Sequence, residues 1–211
     1  MNLSFDFSNN FSDKILNNQV TNCLPYQGIV EQYGVVLQPE IADIYFQRLL
    51  YETPWQPDQA IMFGKHITTR RKVAWYGDVG FNYNYSHINH HALPWSVLLL
   101  QIKHWVEAKL GVCYNSVLLN LYHNGSEGMG WHHDDEKGLG KNSHIASLSL
   151  GATRRFDLRH KSTKKTVSID LEHGSLLAMY GETQSHWLHQ IPKQLRVKDA
   201  RISLTFRRFL G

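Results

Sequence analysis

His132, Asp134 and His189, followed by Arg201 and Arg207, combine residue types that hold a redox metal with residue types that hold a dicarboxylate. In the run Gly130-Trp131-His132-His133-Asp134-Asp135-Glu136, an extended backbone would send alternate side chains to opposite faces, so that His132 and Asp134 converge on one point. Two imidazoles and one carboxylate on one face of an ion leave the opposite positions open, the arrangement of non-haem Fe(II) sites that activate O2. Spacing alone leaves two choices open. His133 and Asp135 form the same His-x-Asp pair on the other face, and Ser185-His186-Trp187-Leu188-His189 offers both His186 and His189 as the distal imidazole.

The arginines sharpen this reading. In Arg201-Ile-Ser-Leu-Thr-Phe-Arg207, Ile202, Leu204 and Phe206 occupy alternate positions and Arg201, Ser203, Thr205 and Arg207 the others, a strand with one polar face. Such a face is ordinarily solvated. At roughly 3.3 Å per residue the two arginine positions lie about 20 Å apart, too far for both to grip one carboxylate. One guanidinium could clamp the far carboxylate of a dicarboxylate with its bidentate fork while the other reaches the end nearer the metal. Ser116-Val-Leu-Leu-Asn-Leu-Tyr122 reads as a second extended run, with Asn120 and Tyr122 sharing a face whose polar tips could serve the same cosubstrate.

These residues, taken with Phe63-Gly64-Lys65, Tyr76-Gly77-Asp78, Tyr83-Asn84-Tyr85 and His173-Gly174-Ser175-Leu176-Leu177, resemble the AlkB-like 2-oxoglutarate and Fe(II)-dependent dioxygenases over about residues 60 to 209. The nearest group repairs alkylated bases in DNA and RNA. The resemblance implies His132, Asp134 and His189 as iron ligands and Asn120, Tyr122, Arg201, Thr205 and Arg207 as the 2-oxoglutarate site. It implies oxidative dealkylation, in which 2-oxoglutarate and O2 give succinate and CO2 while the hydroxylated alkyl group leaves a base nitrogen as an aldehyde. N1-methyladenine and N3-methylcytosine are the expected lesions. DNA is the expected partner, with RNA or protein oxygenation as the alternative and a non-catalytic nucleic-acid-binding module as the reading from another class.

An enzyme that works on a base must take it out of the stack and hold it between flat side chains. Residues 63 to 85 are dense in aromatics, and the resemblance aligns Phe63 with a wedge that fills the gap in the duplex and Tyr83 and Tyr85 with contacts to the flipped base. Tyr85 stands where the nearest group commonly has Phe, which keeps stacking and adds a hydroxyl. Gly64, Lys65 and Arg71 would join the nucleic-acid contacts, and Asp135 and Glu136 would meet the cationic edge of a damaged base. Between Lys137 and Lys165 eight Lys or Arg stand against the single acid Asp157, so the formal charge of +4 is concentrated regionally. With Arg70-Arg71-Lys72 it forms an expected phosphate footprint whose binding weakens steeply with salt.

The elements that must position these groups are legible in outline. A chain of 211 residues suits one domain, with residues 1–30 as a partly ordered arm, 60–90 as a nucleotide-recognition lid and 115–211 as the catalytic core. Pro39 to Tyr51 reads as a helix with Ile41, Ile44, Tyr45 and Leu49 on one stripe, and Pro94 to Leu110 as a second ending at Gly111. After it come short extended runs: 116–122, the metal strand, 145–150, 155–159, 166–171, 175–180 and 201–209. That pattern predicts an α+β chain with N-terminal helices and a double-stranded β-helix, or jelly roll, which gathers distant strands around one interior site. Cys23 and Cys113 are the only cysteines, which suggests no disulfide framework and a reduced intracellular setting, cytoplasmic in a bacterium or nuclear in a eukaryote. No export signal or membrane span is expected, and a monomer is the expected state.

Overall fold

The computed structural model describes residues 20–62, 65–78, 82–85, 88–134 and 137–210, with side chains described outside 60–67, 79–91 and 135–137. Seven antiparallel strands form a major sheet. In spatial order they are β1 (Ile29–Val35), β11 (Ser175–Tyr180), β8 (Ile145–Gly151), β13 (Arg201–Arg207), β6 (Ser116–Tyr122), β3 (Lys65–Gly77) and β2 (Gln56–Met62). Facing it is a minor sheet of β10 (Thr166–Leu171), β9 (Arg154–His160), β12 (Trp187–Ile191) and β7 (Met129–His132). A separate hairpin pairs β4 (Asn82–Tyr85) with β5 (Ile88–His91). The architecture is the expected jelly roll.

Two helices back the major sheet. Helix α1 (Pro39–Glu52) starts with proline, whose missing N–H has no partner to lose in a first turn, and buries Ala42, Tyr45 and Leu49. Ile44, expected on the buried stripe, is 43% exposed. The buried stripe passes through Ala42 instead, because a small residue carries little weight in a hydrophobic pattern but lets the helix approach closely. Helix α2 (Val97–Leu110) begins three residues later than the expected Pro94, since the Ser96 hydroxyl accepts the Leu99 N–H at 3.2 Å and caps it there. Gly111 ends it in the left-handed conformation, with φ of 67°.

The alternation in the strands separates two cores. Val117, Leu119 and Leu121 of β6 and Ile202, Leu204 and Phe206 of β13 turn toward the helices. Phe156, Leu158, Ile169, Leu171, Leu177, Trp187 and Ile191 fill the space between the sheets. The polar face of β13, whose ordinary fate is solvation, is therefore an interior face. Arg201 is 1% exposed and Arg207 8%.

Residues 20–30, placed by sequence in a partly ordered arm, lie against this body. Leu24 and Val30 are buried, β1 pairs with β11 as the sheet edge, and the Trp187 indole donates to the Tyr26 carbonyl at 3.2 Å. The arm lacked periodicity because single anchors, not a repeating face, attach it.

The basic stretch also divides. Arg154 is 1% exposed, and its Nη2 donates at 2.8 Å to the carbonyls of both Glu127 and Pro192 while Nε donates to Gln194 Oε1 at 3.2 Å. It ties two loops together and leaves the expected phosphate footprint. Lys141, Arg155, Lys164 and Lys165 are exposed. Arg154→Met should therefore cost about 3–5 kcal/mol in chemical unfolding, because buried carbonyls lose charged donors. The double variant K164A/K165A, at exposed positions, should leave stability within about 0.5 kcal/mol in the same titration.

Candidate active site

The metal-binding face is assembled by two strands and one loop. His132 and His189 are directly paired across β7 and β12, and their ring centroids are 4.2 Å apart. Strand β7 ends at His132, so Asp134 does not reach the site by the strand alternation expected of residues 130–136. A loop brings it there, pinned where the Asp134 N–H donates to Gln184 Oε1 at 2.9 Å. Asp134 Oδ1 then lies 3.7 Å from His132 Nε2 and 3.8 Å from His189 Nε2, and one donor atom from each residue falls within 4.8 Å of the others. His132 Nδ1 sits 2.8 Å from the Gly130 carbonyl. A carbonyl only accepts, so Nδ1 carries the proton and the Nε2 lone pair faces the carboxylate.

This geometry resolves the distal choice. His186 lies at the end of the short helix α3 (Thr183–His186), stacked on His160 and 3.9 Å from Glu182, outside the triad. His133 lines the same cavity without joining the three, and Asp135, its alternative partner, lies outside the described residues together with Glu136.

Electrostatics prepare the donors for a cation. Burial alone would raise the Asp134 carboxyl, but the Arg207 guanidinium, donating from Nη2 to Oδ2 at 2.7 Å, with His189 and His132, holds it well below the usual carboxylate range. Burial, helped by His132 and Arg207 against Asp134, pushes the His189 imidazole down to about 3. Near neutrality the site therefore presents one carboxylate and an unprotonated distal imidazole.

A stability consequence follows for the metal-free protein. Unfolded His189 takes up a proton below about pH 6.5 whereas the folded imidazole resists until about 3. The unfolded state binds more protons in that window. Stability is then complete above 6.5 and falls as pH drops toward 3, by up to about 1.4 kcal/mol per pH unit. Urea titrations of apoprotein between pH 7 and 5 should show this slope, and His189→Gln should flatten it.

The metal face opens into a cavity of about 350 Å³ lined by Asn120, Tyr122, Ser147, Arg201, Ser203, Thr205 and Arg207. The register of β13 on β6 sets Arg201 opposite Tyr122 and Ser203 opposite Asn120, with Arg207 at the far end beside Asp134. Arg201 Nη2 donates to Ser149 Oγ at 2.8 Å, and its buried Nε and Nη1 have no hydrogen-bond partner. Burial in this setting, opposed by Tyr122 and reinforced by Arg154, lowers its guanidinium to about 10. A buried cation with two open donors is a receptor for an anion.

Ser147, Ser149 and Ser203 were not singled out from sequence. Their signal was there: Ser203 shares the face of Arg201, and Ser147 and Ser149 alternate with Ala146, Leu148 and Leu150 on β8.

The expected nucleic-acid residues fall differently. Phe63 and Gly64 lie outside the described residues. Lys65 begins β3, and Tyr83 and Tyr85 stand at alternate positions of β4, paired with His90 and Ile88. Arg71, expected at the phosphate surface, is 7% exposed, lines the cavity and pairs with Asp58 at 2.6 Å. Sequence adjacency to Arg70 and Lys72 hid that alternation along β3 turns Arg71 inward.

Residues 31–207 match the 2OG-Fe(II) oxygenase superfamily. The chain belongs to that family. It is 40% identical to the alpha-ketoglutarate-dependent dioxygenase alkB homolog 3 of Bos taurus over 176 residues, which cover 79% of this chain and 61% of that protein. It is 36% identical to the DNA oxidative demethylase ALKBH2 of Homo sapiens over 195 residues, 87% of this chain and 75% of that one. The match thus spans under two thirds of the alkB homolog 3 relative. The solved structure of OsALKBH1 superposes with a TM-score of 0.58 at 15% identity, covering 88% of this chain and 98% of that chain, a likeness of fold.

Family membership brings Fe(II), 2-oxoglutarate and O2 as cofactor and cosubstrates. The residues present fit both groups: two imidazoles and a carboxylate for the metal, and a buried guanidinium with open donors for a dicarboxylate. No helix among the described residues is long and apolar enough to cross a membrane.

Proposed function

We propose that this protein is an oxidative demethylase of N-alkylated bases in DNA, acting as a single-domain monomer on lesions such as N1-methyladenine and N3-methylcytosine. The observation that carries the proposal is the conjunction of the His132, Asp134 and His189 donor set with the unpartnered Arg201 donors in one cavity, in a chain similar to a DNA oxidative demethylase. His132, Asp134 and His189 would hold Fe(II), which supplies the O2-dependent oxidation coupled to loss of CO2 from 2-oxoglutarate. Arg201 would clamp the far carboxylate of 2-oxoglutarate, with Tyr122 and Asn120 across the strand and Ser203 and Thr205 along its own. Arg207 keeps Asp134 anionic and oriented, and lies where the near carboxylate of the cosubstrate would sit.

The base would enter from the side of β2, β3 and the β4–β5 hairpin, whose strands carry Lys65, Tyr83 and Tyr85. Phe63 and Gly64, between Met62 and Lys65 in the chain, would engage the gap in the duplex, while Asp135 and Glu136, next in chain to the metal loop, would face the cationic edge of the lesion. The exposed Lys141, Arg155, Lys164 and Lys165 would track phosphates. Such a role places the protein with nucleic acid, in the cytoplasm of a bacterium or the nucleus of a eukaryote.

Iron-loaded protein given 2-oxoglutarate, air and oligonucleotides carrying either lesion should remove one methylene equivalent from the lesion and form matching succinate. Both products should be absent in His132→Ala. Succinate without lesion loss, across single-stranded and duplex DNA and RNA, would sink the repair reading and leave an oxygenase of another substrate. Absence of both from correctly folded, iron-loaded protein would favour a binding module.

A further inference from the structure

Three guanidiniums surround the Tyr122 ring: Arg71 at 5.8 Å, Arg154 at 5.6 Å and Arg201 at 5.6 Å from its centroid. Their roles differ. Arg154 is spent on loop carbonyls, and Arg201 has open donors. Arg71 alone carries a buried carboxylate partner, Asp58, with both side chains 8% exposed.

Asp58 stands at an irregularity of the β2 and β3 pairing, between Pro57, paired with Lys72, and Gln59, paired with Thr68. Its Oδ2 accepts from Arg71 Nη2 at 2.6 Å and from the Thr69 hydroxyl at 3.2 Å, so it gathers the extra residues of β3 around one carboxylate. A buried charge placed at a bulge re-aims a side chain. Here the side chain re-aimed is Arg71, whose Nη1 lies 2.7 Å from Met129 Sδ on β7 and whose Cζ lies over the Tyr122 ring of β6, 5.8 Å from its centroid.

A single guanidinium thus touches the strand of the cosubstrate site, the strand that carries His132, and the strand that leads into the lid. The same cavity is lined by Arg201 and Ser203 of β13 and by Pro57 and Gln59 of β2. We infer that Asp58 is a positioning residue which, through its ion pair, fixes Arg71 as the partition between the cosubstrate and base ends of the cavity and so couples cosubstrate turnover to base oxidation. This rests on the repair reading above.

The pair is suited to that task by what it leaves unmade. With its charge matched by Asp58, Arg71 does not compete with Arg201 for the dicarboxylate, and the cosubstrate has one uncompensated cation to find. Released from Asp58, Arg71 could swing toward the cosubstrate end or toward the base end of the cavity, and either motion opens the partition. Succinate would then form without lesion repair: 2-oxoglutarate loses CO2 and takes up one atom of O2, and the other atom, which the lesion would have received, is reduced to water by a two-electron reductant such as ascorbate supplied in the assay.

The test uses full-length, iron-loaded Asp58→Asn, Arg71→Met and the double variant, with a methylated oligonucleotide. It reads succinate formed per lesion repaired, KM for the oligonucleotide and separately measured 2-oxoglutarate binding. Asp58→Asn should raise the ratio of succinate to repair at least about threefold and the oligonucleotide KM about tenfold, with 2-oxoglutarate binding within about twofold. On the Arg71→Met background the Asp58 change should add little, since it acts through the arginine. Thr69→Val, which removes the second hydrogen bond to Asp58 together with the hydroxyl's 3.4 Å contact to the Arg71 carbonyl, should shift the ratio the same way by less and keeps the test alive should Asp58→Asn fold poorly. Full additivity, wild-type coupling in both Asp58→Asn and Thr69→Val, or a parallel loss of 2-oxoglutarate and oligonucleotide binding would each overturn the inference. Wild-type protein that repairs nothing would overturn the repair reading and this inference together, whereas active wild type beside fully coupled variants would overturn this inference alone.

Discussion

Replacing Arg201 by Met should abolish productive 2-oxoglutarate binding while leaving the apoprotein as stable as wild type or more so. Two effects of opposite sign come from one group. The open Nε and Nη1 are buried with no partner, so the apoprotein bears the desolvation cost of a guanidinium that only Ser149 and the Tyr122 face partly offset. Removing such a charge in favour of an apolar chain of similar length is neutral or stabilising by about 1–4 kcal/mol. A bound carboxylate would instead gain two charge-assisted hydrogen bonds, and their loss should weaken binding by about 3–4 kcal/mol, roughly 10²- to 10³-fold. Thermal melting with and without 2-oxoglutarate, in the presence of a redox-inert divalent metal, separates the two. Wild type should gain stability with ligand concentration as expected for binding to the folded state alone, and the variant should show no gain. An Arg201→Met protein that is destabilised and still responds to 2-oxoglutarate would move the anchor elsewhere.

Asp134→Ala should be the most damaging single change, because it removes a metal ligand and breaks a buried ion pair with Arg207. Asp134 is the only carboxylate of the donor set, and its Oδ2 holds the buried Arg207 at 2.7 Å. Breaking a buried ion pair by deleting one partner costs about 3–5 kcal/mol. Succinate formation should fall at least about 10³-fold with the metal site lost. His132→Ala gives the contrast. Its side chain is 30% exposed and its Nδ1 hydrogen bond reaches only a neighbouring carbonyl, so it should match the loss of turnover at little cost in stability. Denaturant titrations beside metal-binding isotherms would distinguish them, and equal stability losses in the two variants would refute the role assigned to Arg207.

Local patterns in the chain determined a good deal. Short extended runs over 116–122, 166–171 and 175–180, separated by Gly, Asn and basic loops, marked those strands to the residue, and proline and glycine marked the start of α1 and the end of α2, because these signals act between near neighbours. The polar set of β13 was also legible as one face. Its burial was not, since a polar alternation is the same whether water or an opposing sheet lies beyond it. Pairing of β7 with β12 across more than fifty residues decided that His189, not His186, meets His132, and a loop pinned by Gln184 decided how Asp134 arrives, where strand alternation had offered the right residue by the wrong route. The basic positions show the same limit most plainly. Arg71, Arg154 and Lys164 are equivalent as letters in a charge count, yet partners distant in sequence turn the first two into the interior and leave the third in solvent. Charge is a property of the residue, whereas the dielectric and the partners that give it a function belong to the fold.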